Sequence, residues 1–415
     1  MNKINHILLA LSVSVLLSGC ASFGKGITEA ILEKQDSEDT RVCEITGNQF
    51  NGLKPQLEVP GRKMKVLMVH GVGNHLPGYS TEFLEKLAKE LDLPVTTRAY
   101  KNIKLVDPKD PEKNLGNLRI HRYLDQSQTQ ELLFYELTWS EITAKDKEVL
   151  AYDNSGEQSF RRAEVNDLLK KFSNDTGPDP IIYLGEKRDD ILVAFAQSFC
   201  WMISGDWSTL PNDVHQVCSS RNVIPFYNDS YAFVSHSLGS RITIDGLQRI
   251  ASIYAKSKNS EDYSDIVSFL KNKEVPIYMM SNQLPMLQLG RVTPKIVNQE
   301  AEYCQPDGAN YADRMLLKTN IIAFSDPNDL LSYSLPHDFV KKYLDSRLCI
   351  NVTNININVA KIYDAFGLGK LANPMDAHVG YDTDDRVVAL IAKGIANEKT
   401  APIVKERCSW VRTID

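Results

Sequence analysis

The stretch YAFVSHSLGS, residues 231–240, ends an apolar run on Ser235-His236-Ser237-Leu238-Gly239. Ordinary turns use Asn-Gly, Asp-Gly or Pro-Gly, where each residue has a backbone reason to be there. Here small residues two before and two after a central serine allow a sharp reversal, which would stand the Ser237 side chain on a strained corner between strand and helix. The residues that follow, RITIDGLQRI, place Ile242, Ile244, Leu247 and Ile250 as a helix packed on a sheet requires. The same sequence of events recurs along the chain. KVLMVHGVG (65–73) runs into glycines, and STEFLEKLAKELDL (80–93) follows with Phe83, Leu84, Leu87 and Leu91 on one helical stripe and Ser80 as its N-cap. VPIYMMSNQLP (275–285) and NIIAFSDPNDLLSY (320–333) are further apolar strands that end in polar residues. Strands are also predicted at 95–100, at 132–140 and, with alternating character, at 349–360. Strand alternating with helix implies an α/β fold with a mainly parallel sheet covered on both faces. Function in such a sheet gathers at the carboxyl ends of its strands.

Residues 141–230 interrupt the alternation, and a loop of that length is rarely structureless, so a helical insertion is expected there. Two roles are open to its Trp201, Met202, Ile203 and Trp207: lining a lid over a pocket, or forming the core of the insertion itself.

The amino terminus carries an address. Lys3 opens it, Ile7 to Leu17 is an apolar stretch too short to span a bilayer, and LSGC closes it with small residues before Cys20. This resembles a bacterial lipoprotein signal peptide (1–19) with its lipobox. The resemblance implies cleavage before Cys20, acylation of that cysteine, and a tether from 20 to about 45 leading to a domain that occupies 46–415. Ala21 and Ser22 follow the cysteine with no aspartate, which by the same resemblance favours an outer membrane in a diderm envelope. Beyond this segment no apolar run reaches the length of a membrane helix, so the mature chain is expected to be soluble apart from its anchor.

With 43% hydrophobic and 24% charged residues among 415, the composition is that of a globular protein. The formal net charge of −6 argues against nucleic acid as a partner. Removing Cys20 from the seven cysteines leaves an even set, as an oxidising compartment would favour. Cys200 with Cys218 and Cys304 with Cys349 each bracket one irregular stretch, and Cys43 with Cys408 would then tie the chain ends; free buried thiols are the alternative.

In the order of its parts the chain resembles the α/β-hydrolase superfamily. A strand runs into His70-Gly71-Val72-Gly73, a second into the Ser237 corner, a third into Asp326-Pro327-Asn328-Asp329, and His378 follows late in NPMDAHVGY. Serine, acid, then histidine is the order that family uses. The resemblance implies an α/β-hydrolase fold with a helical insertion. It also implies a serine hydrolase with Ser237 as nucleophile, His378 as general base and then acid, and an aspartate holding the imidazole. Asp329 is the expected acid because DLLSY after it resembles such stretches in the family; Asp326 is the alternative and also suits a cap for the Pro327 turn. The oxyanion donors implied are the backbone amides of Val72 and Leu238. One departure is clear: the family's corner reads Gly-x-Ser-x-Gly, whereas Ser235 holds the first position here.

Of the remaining histidines, His70 is expected to order the glycine turn and His236 to pack beside the site. His75, His121, His215 and His337 are expected at the surface. No zinc-protease helix motif or calcium loop occurs, so no metal is expected. GVGNHLPG lacks the G-x-G-x-x-G spacing of a dinucleotide fold, so no cofactor is expected either. The expected activity is cleavage of carboxylic esters or lipids through an acyl-enzyme. The competing reading is a non-catalytic envelope lipoprotein that uses the same fold as a binding scaffold.

Overall fold

Near-continuous runs such as KVLMV and YAFVS have no polar face to give to solvent, and the structure buries them on both sides. The computed structural model describes residues 41–411 except 97–98, 156–161, 219–227, 257–265, 267, 365–369 and 397. In chain order the described strands are β1 (Cys43–Gly47), β2 (Lys63–Val69), β3 (Val95–Thr96), β4 (Lys101–Asp107), β5 (Asp110–Leu124), β6 (Glu131–Thr138), β7 (Val214–His215), β8 (Ser230–His236), β9 (Glu274–Met280), β10 (Lys318–Ser325), β11 (Ile350–Ile357), β12 (Ile362–Asp364), β13 (Lys370–Ala372) and β14 (Cys408–Trp410). All but the separate β12–β13 hairpin form one twelve-stranded sheet, ordered β14-β1-β11-β10-β9-β8-β2-β6-β5-β4-β7 with β3 on β5.

The middle of that sheet, β6-β2-β8-β9-β10-β11, is parallel throughout. The β4–β5 hairpin and β1 add antiparallel flanks. From β2 the chain moves outward to β6, then returns to place β8 on the other side of β2. The strand order therefore reverses between β2 and β8, the position at which an open α/β sheet forms a crevice beyond its carboxyl ends.

Alternate residues of each central strand enter different cores. Leu67, Val69, Tyr231 and Phe233 face a layer that includes the helices α5 (Arg188–Ser204) and α6 (Leu238–Lys256), whereas Val66, Met68, Ala232 and Val234 face the opposite layer. The principal described helices are α1 (Thr81–Glu90), α2 (Glu141–Lys147), α3 (Glu164–Thr176), α4 (Pro178–Leu184), α5, α6, α7 (Pro374–Val379) and α8 (Asp385–Lys393). Helices α1 and α8 supply the second layer. The α/β class with a mostly parallel, helix-covered sheet is thus observed.

Several local expectations change. The strand expected over 95–100 is confined to Val95–Thr96, and 97–98 lie outside the described residues. The β4–β5 hairpin had no counterpart in the sequence reading. Ser80 sits at the N-cap of α1, but its hydroxyl donates to Glu136 rather than capping the helix. The described residues of 141–155 and 164–204 are mostly helical, yet α5 packs directly on the main sheet: Met202 and Ile203 are buried in the principal core, with Trp201 and Trp207 packed against it. That placement puts these four residues in or against the core of the main sheet, not in a separate core of the insertion. The domain also begins before 46, because Cys43 is already in β1.

All three expected cysteine pairs are disulfide-bonded, with Cα atoms 4.4 Å apart in Cys43–Cys408, 6.0 Å in Cys200–Cys218 and 5.4 Å in Cys304–Cys349. Cys43 and Cys408 are direct partners across β1 and β14. Cys20 and the rest of the leader lie outside the described residues. None of the described helices is long and apolar enough to cross a membrane.

Candidate active site

The corner after β8 has the strain its sequence implied. Ser237 adopts φ 53°, a left-handed conformation that costs a non-glycine residue about 1–3 kcal/mol and persists only where its surroundings enforce it. Its amide donates to Met280 O of β9 at 3.0 Å, and α6 begins at the next residue. Glycine is required on both sides of the corner. A Cβ on Gly239 would lie 2.2 Å from Val69 O, and one on Gly71 would lie 2.6 Å from Ser237 Cβ. The turn after β2 and the corner after β8 are therefore in contact. Ser235, in the position the family gives to glycine, is buried and points its hydroxyl at Tyr278 O, 3.4 Å away.

His378 is carried on α7, whose Asn373 side chain caps the helix through Met375 N. Its Nδ1 lies 3.0 Å from Asp329 Oδ1 and 3.0 Å from Ser281 Oγ. Ser281 donates its single hydroxyl hydrogen to Asp329 Oδ2 at 2.7 Å, so toward the imidazole its oxygen can only accept. Both neighbours of Nδ1 are thus acceptors, which places the ring proton on Nδ1 and leaves Nε2 with its lone pair. Tyr381 completes the carboxylate's surroundings, its OH donating to Oδ2 at 3.2 Å, and Leu331 N donates to Oδ1 at 3.0 Å. Burial disfavours the Asp329 charge, but bonding to His378, Leu331 and Ser281 outweighs it and holds the carboxyl below its usual range.

Asp326 is engaged elsewhere. Its carboxylate accepts from Val359 N (2.8 Å), Ala360 N (3.1 Å) and Asn328 N (2.7 Å), tying the loop after β10 to the chain leaving β11. Of the two acids, only Asp329 bonds His378.

His236 joins the corner to α7. Its Nε2–H donates to His378 O at 2.8 Å, the two rings lie 5.2 Å apart, and burial together with His378 pushes its pKa down to about 3. Ser237 Oγ and His378 Nε2 are both buried, and neither has a hydrogen-bond partner among the described residues. The backbone amides of Val72 and Leu238 likewise donate no hydrogen bond among the described residues.

His70 orders the turn after β2. Its Nδ1–H donates to Gly71 O (2.8 Å), its Nε2 accepts from Trp139 N (3.1 Å), and its ring stacks on Trp139 at 4.7 Å. Burial and neighbouring His75 hold it neutral, well below its ordinary pKa. His75 is not a surface residue as expected: it is half-buried, 4.2 Å from the His70 ring. His121 is also half-buried, with burial lowering its pKa to about 4, while His215 and His337 are exposed.

Sequence reasoning missed the clamp on this turn. Asp179 of α4, fully buried, accepts from Gly73 N at 2.6 Å and is neutralised by Lys147 of α2 at 2.9 Å, while Asp175 of α3 accepts from Asn74 N at 3.2 Å. The helices of 141–184 therefore fix the backbone beside Ser237. Ser281 and Tyr381 were missed as well. For Ser281 a signal existed: it ends β9 as Ser237 ends β8, and it too is left-handed, with φ 50°.

No protein family, curated protein or solved structure matches this chain. The chemistry therefore has to be argued from the site alone: a hydroxyl on a strained corner, an imidazole with a bare Nε2, and a carboxylate behind it. Among the described residues no group of His, Cys, Asp and Glu is arranged to hold a metal ion.

Asp382, one residue beyond Tyr381, provides a pH test of this region. Burial and the carboxylate of Glu82 raise its pKa to about 6, partly offset by Lys86. A raised carboxyl favours the fold while protonated, so its cost is absent below the usual value of 3.8, grows through about 6, and is complete above that. Asp382→Asn should thus stabilise the protein at pH 8 by on the order of 2 kcal/mol. The gain should vanish near pH 4; an equal gain in melting temperature at both pH values would refute this account.

Proposed function

We propose that the protein is a serine hydrolase of the α/β-hydrolase type that cleaves carboxylic esters or lipids. The observation carrying this reading is the Asp329–His378–Ser281 arrangement, which leaves His378 Nε2 bare on the element that His236 ties to the Ser237 corner. Adjacency of β2 and β8 at the reversal of strand order supports it.

In the proposed reaction His378 Nε2 takes the Ser237 proton as Oγ bonds to the ester carbonyl carbon. The carbonyl electron pair moves onto oxygen, where the Val72 and Leu238 amides are the proposed donors. Collapse expels the alcohol, protonated by His378, and leaves an acyl-Ser237 that water, deprotonated by the same nitrogen, then cleaves. Asp329 stays ionised and stabilises the imidazolium.

An apolar substrate is supported by the surfaces of the elements that carry the site. Leu76 follows the β2 turn, Leu330 and Leu331 follow Asp329, and Met375 and Val379 flank His378; all five are exposed, Leu76 to 79% and Leu330 to 73%. Lipid anchoring through Cys20 in a bacterial envelope is part of the proposal and rests on the leader sequence. Cys20→Ala should release the protein from membranes, and continued fractionation with them would remove that part.

A binding scaffold without catalysis is the second reading, favoured by the burial of Ser237 and the missing Ser237–His378 hydrogen bond. In unliganded hydrolases that bond is often loose and tightens with substrate. A fluorophosphonate probe, which phosphonylates activated serines with loss of fluoride, separates the two: stoichiometric labelling is expected, and a folded protein that stays unlabelled would sink the hydrolase reading.

A further inference from the structure

Helix α6 leads from the Ser237 corner into a second feature that the proposed hydrolysis does not use. A cleft of about 600 Å³ lies along its outer face and is lined by Arg241, Asp245, Gln248 and Lys256 of the helix, together with Arg188 of α5 and the segment Arg291–Ile296. Neither Ser237, Asp329 nor His378 lines it.

Its charges do not balance. Three guanidiniums converge on one buried carboxylate: Arg241 at 2.7 Å, Arg291 at 2.6 Å and Arg188 at 3.1 Å from Asp245, which also accepts from Tyr183 OH at 2.7 Å. Among the described residues one aspartate cancels one of the three, leaving a surplus of two positive charges before Lys256 and Lys295 are counted. The other arginines of the cleft are accounted for, since Arg347 pairs with Asp345 at 2.6 Å and Arg249 with Asp189 at 2.6 Å. Donors are also left over. Arg188 Nε, Arg241 Nε and Arg291 Nη1 are buried without an acceptor among the described residues, against one unbonded acceptor, Asp245 Oδ1, which is held only by its ion pair with Arg241.

An unpaired buried guanidinium donor is costly, and a structural clamp needs no third cation on a carboxylate already held by two. Burial and repulsion from Arg241 lower the Arg291 pKa, while at Arg188 burial is outweighed by interactions led by the Asp245 carboxylate, which raise its pKa. Planar guanidiniums that converge with lysines at the rim suit a tetrahedral dianion with several acceptor oxygens.

We infer that this cleft binds a phosphoryl group, either on a phosphorylated solute or in a phospholipid headgroup. The inference does not rest on the hydrolytic reading. The test titrates the full-length protein with inorganic phosphate by calorimetry. It also sediments the protein with phosphatidylcholine vesicles that contain or lack phosphatidic acid. Both assays are repeated with Lys295→Gln and with Arg291→Gln/Lys295→Gln, melting temperature serving as the check on folding. Saturable phosphate binding, weakened at least about tenfold in the double variant and less in the single one, is the expected result. If phosphatidic acid adds nothing to vesicle binding, the ligand is a solute; if it recruits wild type but not the double variant, the ligand is a headgroup. Failure of both probes, or undiminished binding by a folded double variant, overturns the site.

Discussion

Replacing Ser237 by alanine is expected to abolish fluorophosphonate labelling and to lower ester turnover by on the order of 10³–10⁶ while leaving the melting temperature unchanged. The two halves of this expectation come from the same observation. Ser237 Oγ makes no hydrogen bond among the described residues, so its removal breaks no hydrogen bond there, yet it is the proposed attacking atom. His378→Ala should be about as damaging to turnover, because residues acting as a unit are not additive, and the double variant should be little worse than either single one. Steady-state kinetics beside thermal melts would check this. Turnover retained in a folded Ser237→Ala protein would place the chemistry elsewhere.

The two aspartates should separate sharply in the same assays. Asp329→Asn puts an amide where His378 Nδ1 needs an acceptor, which favours the wrong tautomer, and a loss of about 10⁴ in kcat is expected with the fold intact. Asp326→Asn should do the opposite. Its carboxylate accepts backbone hydrogens from Val359, Ala360 and Asn328, so it should lose about 1–3 kcal/mol of stability while the folded fraction keeps its kcat. Equal kinetic losses in both variants would contradict the site described.

The parts of this site that could be read from sequence are those where backbone geometry restricts residue choice. The Ser237 corner was legible because Gly71 and Gly239 sit where a Cβ would strike the neighbouring chain. The parallel centre of the sheet was legible because strands buried on both faces have no polar alternation to confuse with anything else. Hydroxyl partners carry no such signal. Ser281 and Tyr381 act through single hydrogen bonds, and nothing in the spacing of a serine or tyrosine announces them. The β4–β5 hairpin was hidden by Pro108, Pro111 and a dense run of charges, even though Ile103, Leu105, Leu118 and Ile120 are all fully buried. Asp179 is buried by partners distant in sequence, Gly73 106 residues away and Lys147 32 residues away, and no local pattern marks it.

The pairing of the first strand has a consequence for how the protein is made. β1 lies between β11 and β14, and its Cys43 is bonded to Cys408, 365 residues later. As the chain emerges amino end first, the leading strand has no partner until residues 350–357 exist, and no covalent closure until residue 408 does. Strands β2, β6 and β8 can pair earlier, but that edge of the sheet stays open until nearly the whole chain has been delivered. A nascent chain stalled before residue 350 would therefore present β1 as an unpaired strand, and one stalled between 357 and 408 would pair it with β11 yet leave Cys43 a free thiol, forms on which quality control can act.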